Sequence, residues 1–217
     1  MLADSLLINE IFYSIQGEST RAGCPCVFVR LTGCNLRCRW CDTEYAFNEG
    51  RAMTVTEVHE RVRGYKCDLV ELTGGEPLLQ AAVYPLIEAL LATNVTVMIE
   101  TSGASDISAL DPRVIRIMDL KCPGSGESAR NLWSNLRHLT AQDEIKFVVS
   151  DRADYEWARN VIFEHRLAQK VNAILMSCAF DELAPADLAA WMLEDRLPAR
   201  LQLQIHKHIW HPQARGV

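Results

Sequence analysis

Cys34, Cys38 and Cys41 lie within the eight residues Cys34-Asn35-Leu36-Arg37-Cys38-Arg39-Trp40-Cys41, entered from the apolar run Val27-Phe28-Val29-Arg30-Leu31. Thiols this close on one loop converge on a metal centre more readily than they pair as disulfides. A structural zinc site takes four protein ligands, and a ferredoxin cluster takes four cysteines. Three thiolates on a cubane-type cluster leave one iron open to a small molecule, which is the arrangement of a working centre.

A second stretch, Thr73-Gly74-Gly75-Glu76-Pro77, falls between an apolar strand and a helix. An isolated Gly-Gly is ordinarily a turn; beside a cysteine triplet, bare backbone becomes a surface that a polar ligand can approach. Arg30 sits in a strand, where a solvent-facing charge is the default. Alternation puts it on one face with Phe28 and Thr32, and inside a barrel that face could grip a carboxylate in two-pronged fashion. Thr43 reads as a cap or turn hydroxyl. His206 and His208 alternate at a strand end, and a histidine without a named partner is ordinarily structural or solvated. Cys24, Cys26, Cys67, Cys122 and Cys178 read as small apolar groups. Cys24-Pro25-Cys26 lacks the second ligand group an auxiliary metal site would need.

These residues must be carried by a fold. A chain of 217 residues, 49% apolar and 23% charged, suits one full core and is short for two. A net charge of −6 argues against a sequence-independent grip on nucleic acid or acidic lipid. No apolar run reaches membrane-spanning length, and Met1-Leu2-Ala3-Asp4-Ser5 lacks the regions of an export signal. Eight cysteines then point to reduced thiols in a cytoplasmic setting.

Apolar β-branched runs alternate with helical stretches along the whole chain. Strands are expected at residues 6–12, 27–31, 69–72, 95–99, 114–118, 145–149, 173–176 and 201–205. Helices are expected at 54–64, capped by Thr54 or Thr56, and at 78–92, 152–169 and 185–194. Repeated strand–helix units imply parallel strands with right-handed crossovers. Polar or glycine-containing motifs follow almost every strand, as on the loop face of a β/α barrel; an open sheet gathers only those at its switch point. Too few units are present for eight, so the expectation is an α/β fold, an incomplete (β/α)6-type, TIM-like barrel in a single domain over 1–217.

The C-x3-C-x2-C spacing resembles the signature of the radical S-adenosylmethionine (SAM) superfamily. There the amino and carboxylate groups of SAM chelate the open iron of a [4Fe–4S] cluster, and Gly-Gly-Glu-Pro looks like the element that holds the SAM amino group. Ser14-Ile15-Gln16-Gly17-Glu18, Phe28 to Leu36, Trp40-Cys41-Asp42-Thr43, Glu100-Thr101-Ser102-Gly103, Asp119-Leu120-Lys121-Cys122-Pro123 and His206-Lys207-His208-Ile209-Trp210 together resemble, nearly end to end, the 7-carboxy-7-deazaguanine synthase family. The resemblance implies that Cys34, Cys38 and Cys41, on a loop over 33–43, hold the cluster. It implies SAM contacts at Trp40, Gly75, Ser102 and Lys121, and Mg²⁺ at Thr43. Ile15, Gln16, Gly17, Arg30, Thr73 and His206 would surround a 6-carboxytetrahydropterin, under a capping segment at about 200–217. Cys178 stands where the family usually carries proline, a departure from its pattern after that strand.

The implied chemistry begins with an electron passing from the cluster into SAM. The resulting 5′-deoxyadenosyl radical takes hydrogen from C6 of the pterin; ring contraction and loss of ammonia follow, in the route to queuosine. A flavodoxin or ferredoxin as reductant and a homodimer are implied as well. Two rivals share parts of the pattern. Another radical SAM enzyme, such as a glycyl-radical activase, has no reason for Gln16, Arg30 and His206. A plain electron carrier needs a fourth cysteine ligand.

Overall fold

The computed structural model describes residues 4–217; the first three residues, part of the N-terminus considered above for an export signal, lie outside it. Among the described residues nine strands form one sheet in the order β3-β1-β2-β4-β5-β6-β7-β8-β9. They are β1 (Ser5–Ile15), β2 (Pro25–Leu31), β3 (Arg51–Thr54), β4 (Leu69–Gly74), β5 (Thr96–Thr101), β6 (Ile115–Asp119), β7 (Glu144–Val149), β8 (Ala173–Cys178) and β9 (Arg200–Gln202). From β2 and β4 through β9 every neighbouring pair is parallel. The sheet curls without closing, the incomplete barrel expected, with a three-residue seventh parallel strand where about six had been expected. Two features depart from a purely parallel reading. β1 runs antiparallel to both β2 and β3, and β3 was not anticipated, because its four residues bury only Met53.

The helices are α1 (Val55–Gly64), α2 (Val83–Leu91), α3 (Arg152–Glu164), α4 (Pro185–Glu194) and α5 (His206–Ile209). Thr54 caps α1 through the Glu57 amide, and Glu57 returns the bond to the Thr54 amide, a reciprocal pair that fixes the start. The expected helix over 78–92 is broken. Pro77–Leu79 makes a single 3-10 turn, and Gln80 is extended, its side chain bonded to the Leu7 and Thr32 carbonyls at 3.1 and 2.9 Å. The helix expected to run to 169 stops at Glu164, where Arg166 turns left-handed at φ 50°. The strand expected over 201–205 ends at Gln202 because the Ile205 amide leaves the sheet for the Gly17 carbonyl, 3.0 Å away. His206 therefore opens a short helix and is not a strand residue.

Alternation along the strands sorts side chains into two regions. Val27, Val29, Leu31, Val70, Leu72, Val97, Ile99, Ile145, Phe147 and Val149 face outward and pack with Val58, Leu86, Leu90, Tyr155 and Leu188 of the helices. Cys26, Phe28, Leu69, Met98 and Ile117 face inward and seal the barrel floor with a small apolar cluster. The lateral gap is bridged by the β1–β2 loop, residues 16–24. Ser19 N–H donates to Gln202 Oε1 at 2.6 Å, Thr20 N–H donates to Glu144, and Gln202 Nε2 donates to Glu18 at 2.9 Å. That bridge places Gln16, Gly17 and Glu18 on the wall of the interior. Among the described residues no helix is long and apolar enough to cross a membrane.

Candidate active site

Above the apolar floor lies a cavity of about 990 Å³, at the upper end of the roughly 300–1,000 Å³ usual for small-molecule sites. Its lining brings together Cys34, Cys38, Cys41, Thr43, Trp40, Gly75, Ser102, Lys121, Ile15, Gln16, Gly17, Arg30, Thr73 and His206. All fourteen positions singled out from the sequence thus line one cavity.

The cysteine loop leaves β2 and is held by the segment after β6. Arg39 N–H donates to the Ser125 carbonyl at 3.0 Å, and Arg37 N–H donates to Glu127 at 2.6 Å. Leu36 N–H lies 3.4 Å from Cys34 Sγ. All eight cysteines are free thiols. Burial pushes the Cys34 thiol up and the Cys38 thiol up to about 11, with Lys121 pulling the other way. Thiols in that state give up protons when a metal centre binds. Among the described residues no three His, Cys, Asp or Glu side chains close around a single metal ion. Three soft donors spread on one wall, one of them already touched by an amide, suit a multi-iron cluster.

Gly74 and Gly75 are required by the chain itself. Gly74 has φ 130°, and a Cβ there would strike the Leu31 backbone; one at Gly75 would strike the Gly33 carbonyl. The Glu76 amide donates to that carbonyl at 2.8 Å. The paired glycines therefore dock the strand end against the cysteine loop, a role the turn reading did not anticipate, while Gly75 still lines the cavity. Glu76 itself is fully buried. Its carboxylate accepts from Leu78 N–H at 3.0 Å, Thr101 Oγ1 at 2.9 Å, Ser102 N–H at 2.8 Å and Ser102 Oγ at 2.5 Å. It ties the ends of β4 and β5 together beside the cysteines.

The deeper wall is ionic. Lys146 Nζ, on β7, bonds Glu18 at 2.7 Å and Glu100 at 2.6 Å. Thr73 Oγ1 reaches Glu100 at 3.3 Å. Burial works against the charge on Lys121, but Asp119 at 2.7 Å outweighs it and holds the ammonium above its ordinary value. Asp42, whose side chain is half exposed, is held down to about 2 by Lys207 at 2.8 Å. Glu18, Glu71, Glu100, Asp119, Lys146 and Lys207 were not singled out as site residues. Glu71, Glu100, Asp119 and Lys146 lie in strands, where a charge reads as solvent-facing until the strand is known to wall a barrel.

Arg30 is fixed from both sides. A bulge between Ile8 and Glu10 re-aims β1, Glu10 takes the Arg30 Nε–H at 2.7 Å, and the guanidinium lies 5.9 and 5.8 Å from the Phe12 and Tyr45 rings. Thr43 precedes the turn Glu44–Phe47 without capping it by its side chain; its hydroxyl lies 3.8 Å from Cys41 Sγ. The cap role is thus not the one realised. His206 packs on Gly17 so closely that a Cβ at Gly17 would strike the imidazole, and burial lowers its pKa although Glu18 and Asp42 pull it up. His208 is exposed, as a surface residue should be. Residues 211–217 line the cavity mouth, where Arg215 bonds Glu49 at 2.9 Å and lies 3.8 Å over the Tyr45 ring.

A sequence model of the radical SAM superfamily matches residues 28–119. The 7-carboxy-7-deazaguanine synthase of Koribacter versatilis is 49% identical, with 97% of this chain and 99% of that protein covered. The Chlorobaculum tepidum protein of the same name is 48% identical, covering 98% and 97%. The chain belongs to the 7-carboxy-7-deazaguanine synthase family. As a member of that family it is a radical SAM enzyme, and the family implies a [4Fe–4S] cluster and SAM as its cofactors. The crystal structure of QueE from Escherichia coli superposes with a TM-score of 0.73 over 91% of this chain and 94% of that one, at 24% identity. That likeness establishes the family's incomplete-barrel fold. The Streptococcus suis SuiB structure bound to the precursor peptide SuiA matches more loosely, with a TM-score of 0.59 over 79% of this chain and 46% of that one, at 14% identity.

Proposed function

We propose that the chain converts 6-carboxy-5,6,7,8-tetrahydropterin to 7-carboxy-7-deazaguanine with loss of ammonia, supplying the 7-deazapurine of queuosine. The supporting observation is the shared cavity. The three cysteines line it together with Gln16, Arg30, Thr73 and His206, so that one site can hold both cofactor and substrate.

When bound, the cluster and SAM supply a reducing electron and a carbon radical that takes hydrogen from the substrate. The chain supplies placement. Arg30, braced by Glu10, offers its terminal nitrogens to the substrate carboxylate. Thr43 offers a hydroxyl oxygen to a Mg²⁺ ion that keeps several waters and orients that carboxylate. Gln16, Gly17 and His206 flank the heterocycle, Ile15 and Thr73 complete its pocket, and Trp40, Gly75, Ser102 and Lys121 surround the SAM. Residues of the 200–217 segment cap the mouth and exclude water. A flavodoxin or ferredoxin delivers the electron, and the working form is a cytoplasmic homodimer.

Anaerobic reconstitution followed by SAM, dithionite, Mg²⁺ and the carboxytetrahydropterin tests this. One 7-carboxy-7-deazaguanine and one ammonia should form per pterin consumed. Cleavage of SAM with no deazapurine formed would assign the chain to another radical SAM reaction, such as activation of a glycyl-radical enzyme.

A further inference from the structure

Glu71 is a buried carboxyl group that the proposed chemistry leaves without a task. It projects inward from β4, one pair of residues below Thr73, and lines the deep end of the cavity. It is 4% exposed, and its Oε2 accepts from Gln16 Nε2 at 2.5 Å. The other end of the same amide is also committed, since Gln16 Oε1 accepts from Glu18 N–H at 3.1 Å. Gln16 is 3% exposed.

An amide has two N–H donors and two oxygen lone pairs. Two of the four positions are spent on the chain, so one N–H and one lone pair remain for anything else in the cavity. The two internal bonds also decide which end of the amide is nitrogen. A flipped amide would set its NH₂ against the Glu18 N–H, a donor facing a donor. Glu71 and the Glu18 N–H together decide which hydrogen-bonding edge Gln16 presents, and Glu71 is the side chain of that pair.

We propose that Glu71 is a positioning residue that orients the Gln16 amide, and through it selects a heterocycle with a complementary acceptor–donor edge. This rests on the proposed function, in which Gln16 touches the pterin. A pyrimidinone ring that carries a carbonyl beside a ring N–H offers such an edge; a ring with two adjacent acceptors does not.

The surroundings favour a neutral carboxyl. The titratable groups facing Glu71 are Cys26 on β2, Glu18 on the loop, Glu100 on β5 and Lys146 on β7. Lys146 is already shared between Glu18 and Glu100, and burial pushes Glu71 well above the ordinary carboxylate range, with Glu100 and Glu18 adding to it. A neutral acid is closely imitated by glutamine, whose carbonyl can accept the same Gln16 N–H.

Steady-state kinetics of reconstituted Glu71→Gln, Glu71→Met, Gln16→Leu and the Glu71→Met, Gln16→Leu double variant test the proposal. Only preparations with full cluster absorbance are compared. Glu71→Gln should keep the pterin KM within about twofold, while Glu71→Met should raise it about tenfold with kcat held, the scale of one lost hydrogen bond. Added to Gln16→Leu, Glu71→Met should do nothing further, because the two act through one contact. If Glu71→Met does not fold, the Glu71→Gln result decides alone. An unchanged KM in Glu71→Met, an equal loss in Glu71→Gln, or additive losses in the double variant overturn the proposal and leave Gln16 as a substrate contact. An unchanged KM in Gln16→Leu removes that contact, and the proposal with it.

Discussion

The carboxylate of Glu76 holds Ser102 twice, accepting from its backbone N–H at 2.8 Å and from its hydroxyl at 2.5 Å. With Thr101 and Leu78 it satisfies four donors from one fully buried side chain. Each buried donor left without a partner costs about 1–3 kcal/mol. Glu76→Ala should therefore lower the unfolding free energy by more than about 3 kcal/mol, read from the urea midpoint, and should weaken SAM binding, because Ser102 loses its brace. A loss below about 1 kcal/mol would show that the two strand ends hold each other without it.

Cys38→Ala leaves two thiols on the loop, too few for a cluster with one open iron. The purified variant should lack the visible absorbance of the reconstituted protein and should cleave no SAM. Full absorbance with normal cleavage would mean that another cysteine replaces Cys38.

The Thr43 side chain makes no capping bond, and its hydroxyl lies 3.8 Å from the Cys41 sulfur. Thr43→Ala should keep the cluster, because the three thiols are untouched, and should lose most of the stimulation of turnover by Mg²⁺. Undiminished metal dependence would remove Thr43 from the ion's ligands.

His206 is desolvated, and its pKa is lowered from the ordinary histidine value of about 6.5. Between that value and the lower folded pKa the unfolded chain binds the extra proton, so stability falls as pH falls through this window. The urea midpoint should drop on going from about pH 7.5 to about pH 5.5, and the drop should be smaller in His206→Gln. An equal drop in the variant would assign the dependence to other groups.

The framework was legible because local chemistry and packing agree there. Val27, Val29 and Leu31, or Ile145, Phe147 and Val149, are apolar where the barrel meets its helices, and Thr54 with Glu57 announces the start of α1. The site was legible where function forces a rare spacing, as at the three cysteines. It was not legible where one residue type serves two settings. Glu71, Glu100 and Lys146 look like solvent-facing strand residues until curvature turns them inward. Glu76 looked like part of a turn, although it is the fully buried side chain that locks β4 to β5. β3 escaped notice because an edge strand of four residues needs little burial. His206 left its expected strand because of the bond between Ile205 and Gly17, residues 188 apart in the chain, which no local pattern records.

In the proposed reaction a radical made from SAM takes hydrogen from a pterin held in the same cavity. The carboxytetrahydropterin carrying deuterium at C6 tests it directly, by mass spectrometry of the 5′-deoxyadenosine formed during turnover. Deuterium transferred from C6 into that nucleoside, alongside 7-carboxy-7-deazaguanine, is the predicted result. Unlabelled 5′-deoxyadenosine formed while the deazapurine accumulates would contradict the account.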